Sequence, residues 1–208
     1  MKILLADDHP VVRRGLRQLL QEQSGFDVVA EVSNGPEALA YVTAHGCDLA
    51  VLDISMPGMN GLETLKQLRH EHPALPILIL SIYPSDQFAI RSFRAGASGY
   101  LCKAASPGEL VEAVRRVHGG GRYVSPDFAE RLVVESPGAP GRLAHERLSD
   151  REFQVFRALA AGRTVSEVAR QLEISVKTVS THRANLLRKL GLRTTADLIK
   201  YAFEQELD

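Results

Sequence analysis

The sequence predicts an α/β architecture: a five-stranded, doubly wound parallel sheet followed by a small all-α helix-turn-helix domain. Three observations carry that prediction. Five short apolar runs alternate with amphipathic segments at short spacing, which implies βαβ units with right-handed crossovers. Four of those runs end abruptly in polar residues, as expected where strands deliver side chains to the carboxyl edge of a parallel sheet. From Leu148 onward every period is helical.

Each element follows in order. Residues 2–7 form the first strand, ending in Asp7-Asp8, and His9-Pro10 opens a helix. On that helix Val12, Leu16, Leu19 and Leu20 share one face, and Arg13, Arg14, Arg17 and Gln18 are expected to turn away. A strand over 28–32 precedes Asn34-Gly35-Pro36, which starts a helix with Ala38, Leu39 and Val42 inward. The third strand, 48–53, ends in Asp53, and Pro57, Gly58 and Gly61 break the chain before a helix from Gly61 to about His70. Strand 77–81 ends in Ser81, with Ser85 as N-cap of the helix that stops at Gly96. Strand 98–102 leads into Lys103, and Ser106-Pro107-Gly108-Glu109 is a capping box with proline at its first helical position.

The glycines at 119–121 close the first domain, residues 1–121. Residues 122–147 are expected to form a linker, with a possible short helix over 126–134 capped by Ser125, and the Ser/Pro/Gly-rich run 136–141 has linker composition. Residues 148–208 form the second domain. Ser149-x-x-Glu152 and Thr164-x-x-Glu167 are capping boxes that open two helices. A tight turn at Glu173-Ile174 leads to Ser175, the N-cap of a helix running to Leu190 with Gly191 as its stop. Thr194 or Thr195 caps the last helix. Helix, short turn, helix is the arrangement that places its second member in the major groove of DNA.

The composition sets bounds. The net charge is zero, but residues 1–135 carry 13 basic and 16 acidic side chains, and residues 136–208 carry 12 and 9. The second half is thus the one suited to a nucleic acid. Two cysteines, Cys47 and Cys102, make no disulfide framework and are expected to be buried small hydrophobes in a reducing compartment. No run approaches membrane-spanning length and the residues before Asp7 are too few for a signal peptide, so the expected location is cytoplasmic, with no membrane partner.

The strand ends gather a chemistry. If Asp7, Asp8 and Asp53 converge, their mutual repulsion calls for a hard divalent cation, Mg²⁺, held through Asp8, Asp53 and the Ser55 backbone carbonyl, with Asp7 acting through a water. Asp53 is then a nucleophile able to form an acyl phosphate, with Lys103 and the Ser81 hydroxyl on the phosphoryl oxygens. Any one of these residues alone could be a turn, a cap or a solvated charge; four loops converging is the argument. His9 has no second histidine at ligand spacing and is taken as structural.

Residues 1 to about 120 resemble the receiver domain of two-component response regulators. The likeness rests on Asp7-Asp8, Asp53-x-x-Met56-Pro57-Gly58-x-x-Gly61, Ser81, Ala95-Gly96-Ala97, Tyr100 and Lys103. It implies a flavodoxin-like sheet, Asp53 as phosphoacceptor from a sensor histidine kinase, and Ser81 with Tyr100 as a switch pair. Proline often follows the lysine in such receivers, whereas Ala104 stands here.

In the second domain, Lys177, Arg183, Arg188 and Lys189 lie between Ser175 and Leu190 with no acid among them. Positions 177, 180, 181 and 184 share one helical face, while Val179, Leu186, Leu187 and Leu190 are expected to face the core. Residues 148–205 resemble the LuxR-type helix-turn-helix domain through Leu148-Ser149-x-Arg151-Glu152, Ala160-x-Gly162, Glu167-x-Ala169, Leu172, Ile174-Ser175, Thr178-Val179, His182, Asn185 and Lys189-Leu190. Together the two likenesses identify the chain as a member of the NarL/FixJ class. By that resemblance Ser180, Thr181 and Ala184 face bases, and Lys177, Thr178, Arg183 and Arg188 serve phosphates or flanking contacts. A lysine is usual where Ser180 stands. The likeness also implies dimerisation through the last helix, by Leu198, Tyr201 and Ala202, on a pseudo-palindromic double-stranded operator.

The expected function is that of a phosphorylation-dependent transcriptional regulator, homodimeric when phosphorylated. It is not an enzyme beyond its own phosphorylation and dephosphorylation at Asp53. A Mg²⁺-dependent hydrolase is the rival, but such an enzyme needs a second acid two residues after the nucleophile or a base for water. Ser55 occupies that position and no base follows. A regulator indifferent to phosphate, with a vestigial pocket, is the third reading.

Overall fold

A computed structural model of the protein describes residues 1–82, 86–125, 144–205 and 207. The chain divides into two compact units, Met1–Val134 and Glu135–Asp208. The expected Ser85 cap, the helix over 126–134 and the linker run 136–141 lie outside the described residues.

The first unit alternates strand and helix: β1 (Lys2–Ala6), α1 (Pro10–Gln21), β2 (Asp27–Val32), α2 (Gly35–His45), β3 (Leu49–Asp53), α3 (Gly61–Glu71), β4 (Ile77–Ser81), α4 (Asp86–Arg94), β5 (Gly99–Cys102) and α5 (Pro107–His118). The strands pair in parallel in the order β2-β1-β3-β4-β5. Helices on both faces explain why β3 and β4 are buried at every position and read as continuous apolar runs. On one face Ile3, Leu5, Leu49, Val51, Leu78, Leu80 and Leu101 pack against Leu20 of α1 and Leu110, Ala113, Val114 and Val117 of α5. The strand period of two sends Leu4, Leu52 and Ile79, all fully buried, to the opposite face, which α2 and α3 cover.

Chain order reverses between β1 and β3, because β1 leads outward to β2 while β3 leads to β4 and β5. Ligands of open α/β sheets bind outside the strand ends at such a switch point. Asp7 and Asp53 continue the series of Leu5 and Val51, so both emerge at that crevice on the same side of the sheet.

The second unit is helical. A 3₁₀ turn (Ala144–Arg147) precedes α6 (Asp150–Ala160), α7 (Val165–Gln171), α8 (Val176–Leu190) and α9 (Thr195–Glu204). The two capping boxes read from sequence form as expected at Ser149 and Thr164, and Thr194 builds a third with Asp197. Phe153, Val155, Phe156, Leu159, Val168, Val179, Leu186, Leu198 and Ala202 make the core. Glu173 closes the turn between α7 and α8 with φ +50, a left-handed conformation uncommon outside glycine and asparagine. Leu190, expected to face the core, is only half-buried, because it ends the helix at the left-handed Gly191 cap.

Candidate functional sites

The crevice between β1 and β3 is built by backbone that leaves no room for alternatives. Asn60 caps α3 in a capping box with Glu63 and is fully buried. Gly61 N–H donates to Ile54 O at 3.0 Å, and a Cβ at Gly61 would sit 2.1 Å from Asp53 O. Only glycine lets the α3 start lie this close to the strand that carries Asp53. Gly58 turns the intervening loop with φ +67.

Asp7 and Asp53 are almost fully buried, at 2% and 1% exposure, and Asp8 is half-buried beside them. Lys103 reaches in from beyond β5. Its Nζ lies 2.7 Å from Asp7 Oδ2 and 2.8 Å from Asp53 Oδ2. The Lys103 amide donates to Ser81 O at 2.7 Å, which fixes the lysine to the end of β4. One ammonium cannot satisfy the acids around it. Burial is the largest influence on Asp53 and pushes its carboxyl up to about 6; Lys103 pulls it down, and Asp7 pushes it up again. Burial also works against the charge on Lys103, but Asp53 and Asp7 outweigh it and hold the lysine protonated, above its ordinary value.

A divalent cation fits this donor set. One ligand atom from each of Asp7, Asp8, His9 and Asp53 lies within 4.8 Å of all the others. Among the described residues Asp53 Oδ1 is buried with no hydrogen-bond partner, and the Ser55 amide is only a minor stabiliser of that carboxylate. Rich in carboxylate oxygens that one ammonium does not satisfy, the pocket suits a hard ion. His9, taken from sequence as structural, joins the cluster: it makes no side-chain cap for α1, and its Nδ1 lies 2.7 Å from Asp8 Oδ1.

Ser81 ends β4 one residue beyond Leu80, the register partner of Asp53, and is fully buried. Tyr100 pairs with Ile79 in β5 and is 7% exposed. The structure therefore gathers Asp7, Asp8, Asp53 and Lys103 at one point, with Ser81 on the adjacent strand end and Tyr100 buried deeper in β5.

In the second unit α8 exposes Lys177, Thr178, Ser180, Thr181, Ala184 and Arg188. Ser175 caps it, accepting from the Thr178 amide at 3.0 Å. Arg183 is half-buried, and its Nε donates to Thr195 Oγ1 at 2.9 Å. Lys189 Nζ lies 2.6 Å from Glu152 Oε2, which ties the end of α8 to the start of α6. Burial works against the Glu152 charge, but Lys189 and Ser149 outweigh it and hold that carboxyl below its usual range.

The comparisons with known proteins agree with this geometry. Residues 3–115 match the family model of the response regulator receiver domain, and residues 146–202 match that of bacterial regulatory proteins of the luxR family. The transcriptional regulatory protein UhpA of Escherichia coli (strain K12) is 41% identical over 202 residues, spanning 97% of each chain. The response regulator UvrY of the same strain is 33% identical over 215 residues, spanning 100% of this chain and 95% of that protein. The chain belongs to the NarL/FixJ class of response regulators.

Solved structures extend the likeness of this response regulator. RcsB from Salmonella enterica serovar Typhimurium, bound to promoter rprA in the presence of the phosphomimetic BeF3⁻, superposes with a TM-score of 0.67 at 25% identity, covering 97% of both chains. ChrA, of a heme-sensing two-component system, superposes with a TM-score of 0.54 at 34% identity, covering 100% of this chain and 98% of that one. The response regulator thus pairs a receiver with a LuxR-type DNA-binding domain, and its relatives are transcription regulators. Among the described residues no helix is long and apolar enough to cross a membrane.

Several expectations need correction. Arg13 of the response regulator does not turn away from the fold: it is half-buried, donates to Asp7 O, and lies 3.7 Å from Glu31. It braces the backbone that presents Asp7. Cys47 and Cys102 are half-buried rather than core residues, although burial pushes the Cys47 thiol up to about 11. On α9, Leu198 and Ala202 are 0% and 1% exposed and belong to the core of their own unit. Tyr201 Oη lies 3.0 Å from His145 Nδ1, and its ring packs edge-on against Phe156. Leu198 and Ala202 therefore face inward and Tyr201 is half-buried, and the large apolar groups this helix exposes are Ile199 and Phe203, at 41% and 74%. The resemblance that implies these three residues does not fix which face of this ten-residue helix packs inward.

Proposed function

We propose that this response regulator takes a phosphoryl group from a sensor histidine kinase onto Asp53 and that the acyl phosphate controls its dimerisation and its binding of DNA. The observation that carries the reading is Lys103 bridging Asp7 and Asp53 in a buried pocket of three carboxylates. Burial leaves the Asp53 oxygens poorly solvated, which makes the ionised carboxylate a strong nucleophile. An Asp53 oxygen attacks phosphorus as the bond from phosphorus to the donor nitrogen breaks, and the histidine leaves with that electron pair.

Asp7, Asp8, Asp53 and the Ser55 carbonyl would hold Mg²⁺, which supplies positive charge to the acids and to the incoming phosphoryl oxygens. Lys103 then exchanges its contact with Asp53 for one with a phosphoryl oxygen, and the Ser81 hydroxyl donates to another. With Ser81 drawn toward the phosphate, Tyr100 repacks behind it and alters the β4–β5 surface. That change biases association of two copies, which bind a pseudo-palindromic operator through α8. In this reading the regulator acts in the cytoplasm, and Lys177, Thr178, Arg183 and Arg188 serve phosphates while Ser180, Thr181 and Ala184 meet bases.

The test is chemical. Full-length protein incubated with acetyl phosphate and Mg²⁺ gains the mass of one phosphoryl group, removable by hydroxylamine as an acyl phosphate requires. Asp53→Asn gains none. Modification of the variant to the same extent would disprove the assignment.

A further inference from the structure

Ser180, Thr181 and Ala184 give the exposed face of α8 hydrogen-bond acceptors and methyl groups but no free donor of their own. Ser180 Oγ donates to Val176 O at 2.8 Å, and Thr181 Oγ1 donates to Lys177 O at 3.0 Å. Each hydroxyl has one hydrogen, and in both residues it is committed to the carbonyl one turn back. What remains outward is the oxygen lone pair of each, the Cγ2 methyl of Thr181 and the Cβ methyl of Ala184. Serine, threonine and alanine here are all solvent-exposed and share one face with Lys177 by i, i+3, i+4, i+7 spacing. Lys177 is the only one of the four with free N–H donors, and it sits in the first turn, where it is placed for phosphate.

We propose that this helix reads its half-site by accepting from amino groups and by touching thymine methyls, and that it selects against guanine at the bases facing Ser180 and Thr181. The proposal rests on the reading that these residues meet bases in the major groove. In that groove adenine N6 and cytosine N4 are the donors, guanine offers only N7 and O6 acceptors, and thymine alone carries a C5 methyl. An acceptor-only serine and threonine match adenine or cytosine amino groups and face guanine with lone pair against lone pair. Ala184 and the Thr181 methyl match thymine. A lysine in place of Ser180 would reverse the first preference, since its ammonium donates and pairs well with guanine O6 and N7.

Selection from a randomised duplex library by the full-length protein, treated with acetyl phosphate and Mg²⁺, tests this. The expected motif holds adenine or cytosine at the positions whose identity shifts in Ser180→Lys and Thr181→Val. Ser180→Lys moves its position to guanine by about tenfold in preference. Replacing the motif's thymines by uracil removes only the methyl groups. The wild type then loses about fourfold in affinity for each contacted methyl, and Ala184→Gly loses less than the wild type at its own position. Guanine selected by the wild type at the positions that Ser180→Lys and Thr181→Val alter would overturn the proposal, as would indifference to uracil. Enrichment of no sequence at all would overturn the underlying DNA-reading assignment, an outcome distinct from a wrong motif.

Discussion

Lys103 Nζ lies 2.8 Å from Asp53 Oδ2, and both side chains of this pair are largely buried. The same ammonium holds Asp7, so its removal strands two buried carboxylates that a single cation now serves. Lys103→Ala is expected to destabilise the metal-free protein by about 3 kcal/mol at neutral pH, read as a lowered urea midpoint with unchanged slope. Asp53→Ala in the same background should recover part of that loss. A Lys103→Ala variant as stable as the wild type would show that the pair contributes nothing.

The burial of Asp53 makes stability depend on pH in an unusual direction. Its folded-state value, about 6, stands above that of the unfolded chain, so the native protein holds the proton more tightly. The resulting stabilisation is fully present below about pH 4 and disappears as pH rises through about 6. Without divalent cation, the wild type should lose on the order of 3 kcal/mol relative to Asp53→Asn across that window. Mg²⁺ at pH 7 should reverse the loss in the wild type only. Urea unfolding of both proteins from pH 4 to pH 7 measures it, and parallel curves would contradict it.

Gly61 is placed by steric necessity. A Cβ there would stand 2.1 Å from Asp53 O, so Gly61→Ala must shift the start of α3 or the end of β3. The expected cost is about 3 kcal/mol, seen as a fall in Tm, with slower phosphorylation by acetyl phosphate because Asp53 moves too. An unchanged Tm would mean that the loop relaxes freely.

Much of this was open to reading in the residues, and the failures have physical causes. Strand runs that are apolar at every position, such as 49–52 and 77–80, declare burial on both faces, and a parallel sheet then puts Asp7, Asp53, Ser81 and Lys103 at one edge. The capping boxes at Ser106, Ser149 and Thr164 are local chemistry and form where the pattern puts them. Asn60-x-x-Glu63 follows the same rule and goes unnoticed beside the more conspicuous Pro57 and Gly58. Arg13 is different. Its position on α1 is solvent-facing by period, but a long side chain can fold back to Asp7 O at the end of β1 and to Glu31 of β2, contacts that the helical period does not show. His9 joins the acids through Asp8, its neighbour in the loop after β1, and Lys189 is drawn off the basic face of α8 by Glu152, 37 residues earlier.

The two faces of α9 should behave oppositely on substitution. Leu198 is fully buried, so Leu198→Ser is expected to destabilise the DNA-binding domain by about 3 kcal/mol or more. Phe203 is 74% exposed, so Phe203→Ser should leave Tm within about a degree, since surface changes are worth roughly 0.5 kcal/mol or less. If α9 joins two copies, Phe203→Ser should nonetheless weaken dimerisation on a two-half-site operator and spare binding to one half-site. Sedimentation and gel-shift titrations distinguish these outcomes, and equal loss at both kinds of site would rule out a dimer role for Phe203.

The central claim is that phosphate on Asp53 governs the DNA-binding domain. Its most direct test is operator affinity of the wild type and Asp53→Ala, each with and without acetyl phosphate and Mg²⁺. The account predicts that the donor tightens binding by the wild type and leaves Asp53→Ala unmoved. An identical response from the two proteins would contradict it.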